Sequence, residues 1–156
     1  MIEIKIPGMD IMKLNHIVLD FNGTMATDGI IIPGVIERLN SLSRELSVHI
    51  LTADTFGTVR EACSSVNGTV TVLSQGAGAS EKEAFVRRLG EQSVVAVGNG
   101  MNDRMMLRTS ALGILVIGAE GSSAHALAAA DIVTGSINDA LDLLLNTKRV
   151  IATLRS

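Results

Sequence analysis

Short apolar stretches alternate with amphipathic stretches along most of the chain. The apolar stretches are continuous, which is typical of strands buried on both faces of a sheet. Six of them recur, at His16–Leu19, Val48–Leu51, Thr69–Leu73, Val94–Val97, Leu112–Ile117 and Ile132–Val133. A helical pattern follows each one. Strands that alternate with helices predict a doubly wound, Rossmann-like α/β fold with a mainly parallel sheet in three α/β/α layers.

The segments between these strands carry helix-boundary signals. Pro33 suits the first turn of one helix, since its fixed φ is helical and its missing N–H is not needed there. Ser80 and Glu83 have the spacing of a capping box, which predicts a helix start at Ser80. Ser136 is placed to cap one long final helix that reaches Leu154.

Residues 1–14 depart from this alternation. Ile2, Ile4 and Ile6 alternate with polar residues and then meet Pro7-Gly8, which predicts an edge strand or a hairpin. No repeat, linker or low-complexity tract divides the 156 residues. We therefore expect a single domain over residues 1–156, built around one core.

Composition and charge exclude several classes of function. The net charge is −3 and aromatic residues make up only 2%, so the basic surface and stacking platform of a nucleic-acid binder are absent from the sequence. No apolar run approaches the roughly 20 residues that span a bilayer. The amino terminus also lacks a signal-peptide pattern. A single cysteine, Cys63, suits a reducing compartment, so we expect a cytoplasmic protein with this thiol in its core.

Polar clusters follow three of the predicted strands. They are Asp20-Phe21-Asn22-Gly23-Thr24, Thr52-Ala53-Asp54-Thr55 and Gly98-Asn99-Gly100-Met101-Asn102-Asp103. The carboxyl ends of parallel strands lie at one edge of a sheet, where such folds bind ligands. Lys82, on the helix before the fourth strand, is a further candidate. Each feature alone also has a structural explanation: a turn at Asn22-Gly23, a helix cap at Thr52, or a solvated lysine.

Together, these clusters resemble the four motifs of the haloacid dehalogenase superfamily. They are most similar to the phosphorylation domain of P-type ATPases and its small soluble relatives. Asp20–Thr24 stands where the pumps have Asp-Lys-Thr-Gly-Thr, and Gly98–Asp103 where they have Gly-Asp-Gly-x-Asn-Asp. Ile50–Asp54 is similar to their Leu-Thr-Gly-Asp, and Ala129–Val133 to a following Ala-Asp-Ile-Val. The resemblance covers about residues 15–156.

The resemblance implies a Mg²⁺-dependent phosphatase or phosphotransferase acting on a phosphorylated small molecule or protein. Asp20 would attack phosphorus and carry an aspartyl-phosphate, while Lys82 would neutralise the transferring oxygens. The implied phosphate ligands are the hydroxyls of Thr24 and Thr52 and the loop N–H groups at Gly23 and Ala53. The implied candidates for the metal are Asp20, Asn22, Asn99 and Asp103.

Two positions depart from the superfamily pattern. Asn22 stands where most of its phosphatases have an aspartate that acts as general acid and base, so we expect slow hydrolysis. Asn99 stands where an aspartate usually ligates Mg²⁺, so we expect weaker metal binding. Both features leave open a second interpretation, a module that binds or regulates through a phosphorylated ligand without efficient turnover. A third, a soluble partner of a membrane pump, has only the family likeness in its favour.

The intervals between the motifs are too short for a cap domain. Thirty-one residues separate Asp20 from Thr52, and 29 separate Thr52 from Lys82. The nucleotide-binding domain of the pumps has no room in either interval, so the resemblance does not imply ATP hydrolysis. We expect an open active site, or one that another copy of the chain covers in a homo-oligomer.

Overall fold

The computed structural model describes residues 1–53, 58–74, 76 and 78–155. The strands are β1 (Ile2–Ile4), β2 (Met12–Leu14), β3 (His16–Asp20), β4 (Ala26–Thr27), β5 (Ile30–Ile31), β6 (Ser47–Thr52), β7 (Thr69–Val72), β8 (Val94–Gly98), β9 (Leu112–Val116) and β10 (Ile132–Thr134). The helices are α1 (Val35–Leu42), α2 (Thr58–Ala62), α3 (Gly78–Leu89), α4 (Arg104–Thr109), α5 (Ala124–Leu127), α6 (Ile137–Leu145) and α7 (Thr147–Leu154). Two 3₁₀ turns, Glu91–Ser93 and Met101–Asp103, precede β8 and α4.

The six strands predicted from the apolar runs form one parallel sheet. Its order is β10-β9-β8-β3-β6-β7, and every neighbouring pair is parallel. β3 lies in the middle, and the chain order runs outward from it in both directions. The ends of β3 and its neighbours β6 and β8 therefore mark the topological switch point, where doubly wound folds bind their ligands.

Helices cover both faces of this sheet. Ile17 and Leu19 of β3 belong to a core that includes residues of α1, α2, α6 and α7. Val18 points the other way, into a second core with residues of α3, α4 and α5. Successive side chains of a strand alternate between faces, and both faces are buried here, which explains the continuous apolar runs. The predicted three-layer α/β/α arrangement is confirmed.

Two hairpins extend this scaffold. β1 and β2 pair antiparallel, so residues 1–14 form a hairpin, one of the two structures expected for them. β4 and β5 pair antiparallel around Asp28 and Gly29, whose φ angles are 51° and 78°. This two-residue turn with two positive φ values is typical of a type I′ hairpin and suits Asp-Gly. The sequence analysis did not predict this second hairpin.

Helix boundaries differ from two of the predictions. α3 begins at Gly78, so Ser80 lies within the helix and the predicted capping box is wrong. The final helix breaks at Asn146, whose φ of −134° and ψ of 80° are not helical, and gives α6 and α7. The predicted cap of that segment is confirmed, because the Asp139 N–H donates to Ser136 Oγ at 3.1 Å.

The remaining predictions on burial and membranes concern the cysteine and the helices. Cys63 lies in the core as predicted, and burial raises the pKa of its thiol to about 11. Among the helices of the described residues, none combines the length and apolar character that crossing a bilayer requires.

Candidate active site

Four polar side chains meet at the carboxyl edge of the sheet. Asp20 is the last residue of β3, and Asp103 ends the 3₁₀ turn that follows β8. Lys82 of α3 donates to Asp20 Oδ1 at 2.5 Å and to Asp103 Oδ1 at 2.6 Å. The Thr24 hydroxyl lies 3.3 Å from Asp20 Oδ2. All four are buried, although three of them carry charge.

Thr52 joins this edge from the neighbouring strand. It is the last residue of β6, where Leu51 pairs in register with Asp20 of β3. Thr52 is buried and Ala53 is exposed, so the chain emerges to the surface one residue beyond the strand. Asp54, which completes the motif in the sequence, lies outside the described residues.

Asp103 is fixed by the backbone of the loop that precedes it. Its Oδ2 accepts hydrogen bonds from the Asn99 N–H at 3.0 Å and the Gly100 N–H at 2.8 Å. Its Oδ1 remains for Lys82. The carboxylate packs so closely on Gly98 that a Cβ there would lie 2.5 Å from Asp103 Cγ. Glycine is therefore required for Asp103 to reach the site.

Replacing Gly98 by alanine is expected to displace the Asp103 carboxylate. The added methyl group would break one or both backbone hydrogen bonds or force β8 to shift, at a cost of about 1–3 kcal/mol in the free energy of unfolding. Urea denaturation measures this loss. Gly135→Ala is the matched control, since a Cβ at Gly135 meets nothing within 4 Å. Equal stabilities of the two variants would contradict the expectation.

Asn99 connects three loops around the site. Its Oδ1 accepts from the Thr24 hydroxyl at 3.1 Å, and its Nδ2 donates to the Gly121 carbonyl at 3.0 Å. Glu120 in the same loop accepts from the Asp28 N–H at 2.8 Å and so supports the β4–β5 hairpin. Sequence reasoning considered residues 118–123 for anion binding but did not predict their contacts with Asn99 and Asp28, because no motif marks contacts between residues so distant along the chain.

In the loop after β3, Gly23 is buried and Asn22 is exposed. The Gly23 N–H already donates to the Ala26 carbonyl at 2.9 Å, so it is not free to bind phosphate as expected. A Cβ on Gly23 would lie 2.5 Å from Asn99 Nδ2, so the glycine instead makes room for that amide. Asn22 is exposed and lines a cleft of about 290 Å³ together with Ala53 and Thr58.

The buried cluster carries two carboxylates and one ammonium, a net charge of −1. Burial and the nearby charge of Asp103 raise the pKa of Asp20 to about 6, although Lys82 acts against them. Burial acts to lower the pKa of Lys82, but the two carboxylates outweigh it, raise the pKa and keep the ammonium protonated. A site with this excess of negative charge favours a cation.

The donor atoms fit a hard divalent cation. Within the described ranges, no cluster of three or more His, Cys, Asp or Glu side chains forms a ready-made metal site. Asp20 and Asp103 nevertheless share Lys82, and the Thr24 hydroxyl links Asp20 to the Asn99 amide oxygen, so the three side chains supply oxygen atoms to one cluster. Mg²⁺ is commonly held by only one or two carboxylates, with water and substrate phosphate completing its six ligands. These residues therefore suit Mg²⁺ better than a metal that prefers nitrogen or sulfur.

Two proteins of Methanocaldococcus jannaschii, both described as uncharacterised, match parts of the sequence. One is 46% identical over 83 residues, which cover 49% of this chain and 89% of that protein. The other is 56% identical over 39 residues, which cover 25% of this chain and 89% of that protein. The chain belongs to the same family as these two proteins. No model of a known protein family matches the sequence.

Solved structures extend the comparison to the fold. A Legionella pneumophila protein, described as a hydrolase of subfamily III A of the haloacid dehalogenase (HAD) superfamily, superposes with a TM-score of 0.73 at 16% identity. The match covers 92% of this chain and 88% of that chain. This chain has the haloacid dehalogenase fold. The fold expected from the four motifs is thus confirmed.

Two phosphatases with bound metals share this HAD fold. The 3-deoxy-D-manno-octulosonate (KDO) 8-phosphate phosphatase of Moraxella catarrhalis, solved with magnesium, phosphate and KDO, has a TM-score of 0.71 at 16% identity, over 91% of this chain and 94% of its own. The cobalt-bound enzyme of Haemophilus influenzae has a TM-score of 0.72 at 10% identity, over 93% and 95%. Because each match covers more than nine tenths of both chains, this chain and the two enzymes have folds of similar size.

Proposed function

We propose that the chain is a Mg²⁺-dependent phosphatase or phosphotransferase of the HAD superfamily, with Asp20 as its nucleophile. The observation that carries this proposal is the buried cluster in which Lys82 contacts both Asp20 and Asp103, with Thr24 beside them. The order of the four motifs, the shared fold and the metal and phosphate bound to the Moraxella phosphatase support it.

The proposed reaction has two steps on Asp20. A carboxylate oxygen attacks phosphorus, the bond from phosphorus to the ester oxygen breaks, and the leaving oxygen takes a proton from water. Water then attacks the aspartyl-phosphate and releases inorganic phosphate, or an acceptor hydroxyl takes the phosphoryl group. Lys82 holds Asp20 in place and offsets negative charge in both steps. The Thr52 hydroxyl and the Ala53 N–H are proposed to donate hydrogen bonds to the phosphate oxygens. The Thr24 hydroxyl donates a hydrogen bond to the Asp20 carboxylate.

The proposed metal ligands are Asp20, Asp103, Asn99 and Asn22. A bound Mg²⁺ would supply positive charge that offsets the repulsion of the Asp20 carboxylate and a substrate phosphate. The Asn99 amide oxygen already accepts from Thr24 and keeps one lone pair free. Asn22, which is exposed and lies two residues after Asp20, would contribute an oxygen without charge.

Turnover of a simple aryl phosphate tests the proposal. Purified protein should hydrolyse phenyl phosphate only with Mg²⁺, and Asp20→Asn should abolish the activity. Asp28→Asn is the matched control, because it removes an exposed carboxylate at a hairpin turn whose positive φ asparagine also adopts. Equal activity of the Asp20→Asn variant and the wild type would refute Asp20 as the nucleophile.

The alternative function is a module that binds a phosphorylated ligand without efficient turnover. It is favoured by the uncharged Asn22 and by Asn99, whose amide is engaged with Thr24 and Gly121. Beryllium fluoride, which mimics a phosphoryl group on aspartate, separates the two. Tight Mg²⁺-dependent binding together with no turnover would favour the module. The likeness to the phosphorylation domain of pumps supports phosphoenzyme formation in either case.

Replacing Asn99 by aspartate is expected to tighten Mg²⁺ binding by about tenfold, because a carboxylate adds one negative charge to the metal site. The same change removes the hydrogen bond to the Gly121 carbonyl and should lower the stability of the metal-free protein. Isothermal titration with Mg²⁺ measures the first effect and thermal unfolding with EDTA the second. Unchanged metal affinity would show that this side chain lies outside the metal's reach.

Exposed apolar side chains on the loops that follow β3 and β8 bear on the expected homo-oligomer. Ile30, at the tip of the β4–β5 hairpin, is 75% exposed, and Met101, on the turn beside Asp103, is 52% exposed. We propose that a second copy of the chain packs against Ile30 and leaves Met101 accessible to substrate, and sedimentation analysis of the protein tests for this association. The buried, protonated thiol of Cys63 is consistent with the proposed cytoplasmic location.

A further inference from the structure

A second cleft, of about 520 Å³, opens beside the proposed active site. Its described lining residues are Ala53, Ser74, Gly76, Gly78, Ala79, Met101, Asn102, Arg104 and Met105. Ala53 also lines the smaller cleft that contains Asn22, so the two clefts meet at the proposed phosphate loop. The larger cleft therefore lies where the remainder of a phosphate ester would extend from the reacting phosphorus.

Arg104 is the only charged residue among the described lining residues of this cleft. It follows Asp103 directly, so the reaction site and the cleft wall are one residue apart, about 3.8 Å between Cα atoms. Within the part of the chain that the structure describes, its guanidinium makes no ion pair. The guanidinium Nη2 lies 3.7 Å from Met105 Sδ. Other exposed arginines among the described residues, such as Arg44 and Arg108, also make no ion pair, so Arg104 is distinguished by its place in the cleft wall beside Asp103.

The rest of the lining is mostly small or apolar. Met101 and Met105 offer flexible thioethers that pack well against a ring or an aliphatic body. Ala53 and Ala79 add only small side chains to the lining, and a cleft of this volume accommodates a small-molecule body. One unpaired cation over such a surface matches a ligand that has an apolar body and one anionic group.

We propose that Arg104 is a specificity residue that selects phosphate esters whose leaving group carries a carboxylate. This inference rests on the proposed function and names the substrate class of that site. The ester phosphate lies at Asp20, the body of the leaving group occupies the cleft, and its carboxylate pairs with the Arg104 guanidinium. The chemistry is unchanged: the bond from phosphorus to the leaving oxygen breaks, and that oxygen takes a proton from water.

A pair of nearly isosteric substrates tests the inference. The 3- and 4-carboxyphenyl phosphates carry the anionic group, and the corresponding carbamoylphenyl phosphates replace it with a neutral amide. The wild type should prefer the acid of at least one pair by about tenfold in kcat/KM, as one charge-assisted hydrogen bond would give. In Arg104→Gln this ratio should fall to about one, and Arg104→Lys should keep part of it, because its charge remains.

Arg108→Gln is the matched control, since Arg108 is an exposed arginine on the same helix that does not line the cleft. It should leave the ratio of acid to amide unchanged. Turnover without a preference for the acid, or a preference that survives in Arg104→Gln, would overturn this inference and leave the proposed function standing. If no ester is hydrolysed with Mg²⁺, the proposed function fails, and the inference fails with it.

Discussion

Replacing Lys82 by methionine is expected to destabilise the metal-free protein by about 3–5 kcal/mol, the usual cost of breaking a buried ion pair on one side. Lys82 contacts both carboxylates of the cluster, so its loss leaves Asp20 and Asp103 buried together without a cation. Urea denaturation in EDTA measures the loss. Methionine keeps a similar length and packing, so the difference reports the charge. A change below about 1 kcal/mol would contradict the buried charge cluster.

Replacing Asp20 by asparagine should change the stability in the opposite direction. The variant removes one of two like charges, and a pKa raised from 3.8 to about 6 corresponds to roughly 3 kcal/mol of unfavourable burial at neutral pH. The wild-type penalty appears as pH rises from about 4 through about 6, because the unfolded carboxyl loses its proton first. Asp20→Asn lacks this pH dependence. Comparison of unfolding at pH 4.5 and 7.5 measures it.

Introducing an acid at position 22 should strongly change the rate of phosphate release. Asn22→Asp is expected to raise the rate of phosphate release by about 10²–10⁴-fold, the range that general acid and base assistance supplies. Asn22 is exposed and lines the smaller cleft, so an aspartate there could exchange a proton with water or a leaving group. Single-turnover kinetics with phenyl phosphate resolve formation and hydrolysis of the phosphoenzyme.

The control for this variant is Asn67→Asp, an exposed asparagine between α2 and β7. It adds the same charge and should leave the rate of phosphate release unchanged. If Asn22→Asp hydrolyses the phosphoenzyme no faster than the wild type, Asn22 does not stand at the acid position.

The central sheet was predictable because its strands are buried on both faces and so appear as continuous apolar runs. The break in the final helix was not predictable. Asn146 divides the last helix although the apolar pattern continues across it, because burial is compatible with either arrangement. The β4–β5 hairpin carried an available signal, the Asp28-Gly29 turn, but its strands are only two residues long. Hairpins this short depend on tertiary contacts such as the one from Glu120.

The cluster of Asp20, Thr24, Lys82 and Asp103 was predictable in composition, since motif order and the edge rule for parallel sheets place these residues together. The hydrogen-bond partners of individual N–H and amide groups around the cluster were not predictable. The Gly23 N–H turns inward to Ala26, and the Asn99 amide turns toward Gly121. Such choices depend on distant loops that no local pattern records. The same holds for Arg104, which as a sequence feature is one arginine among many.

Thr24 has one hydroxyl proton and two acceptors, Asp20 Oδ2 at 3.3 Å and Asn99 Oδ1 at 3.1 Å. It can satisfy only one of them at a time. A free carboxylate competes strongly for that proton, whereas an esterified one competes weakly, so modification of Asp20 should release the proton to Asn99. The NMR resonance of this hydroxyl proton should therefore report whether the Asp20 carboxylate is free or carries the proposed phosphoryl group.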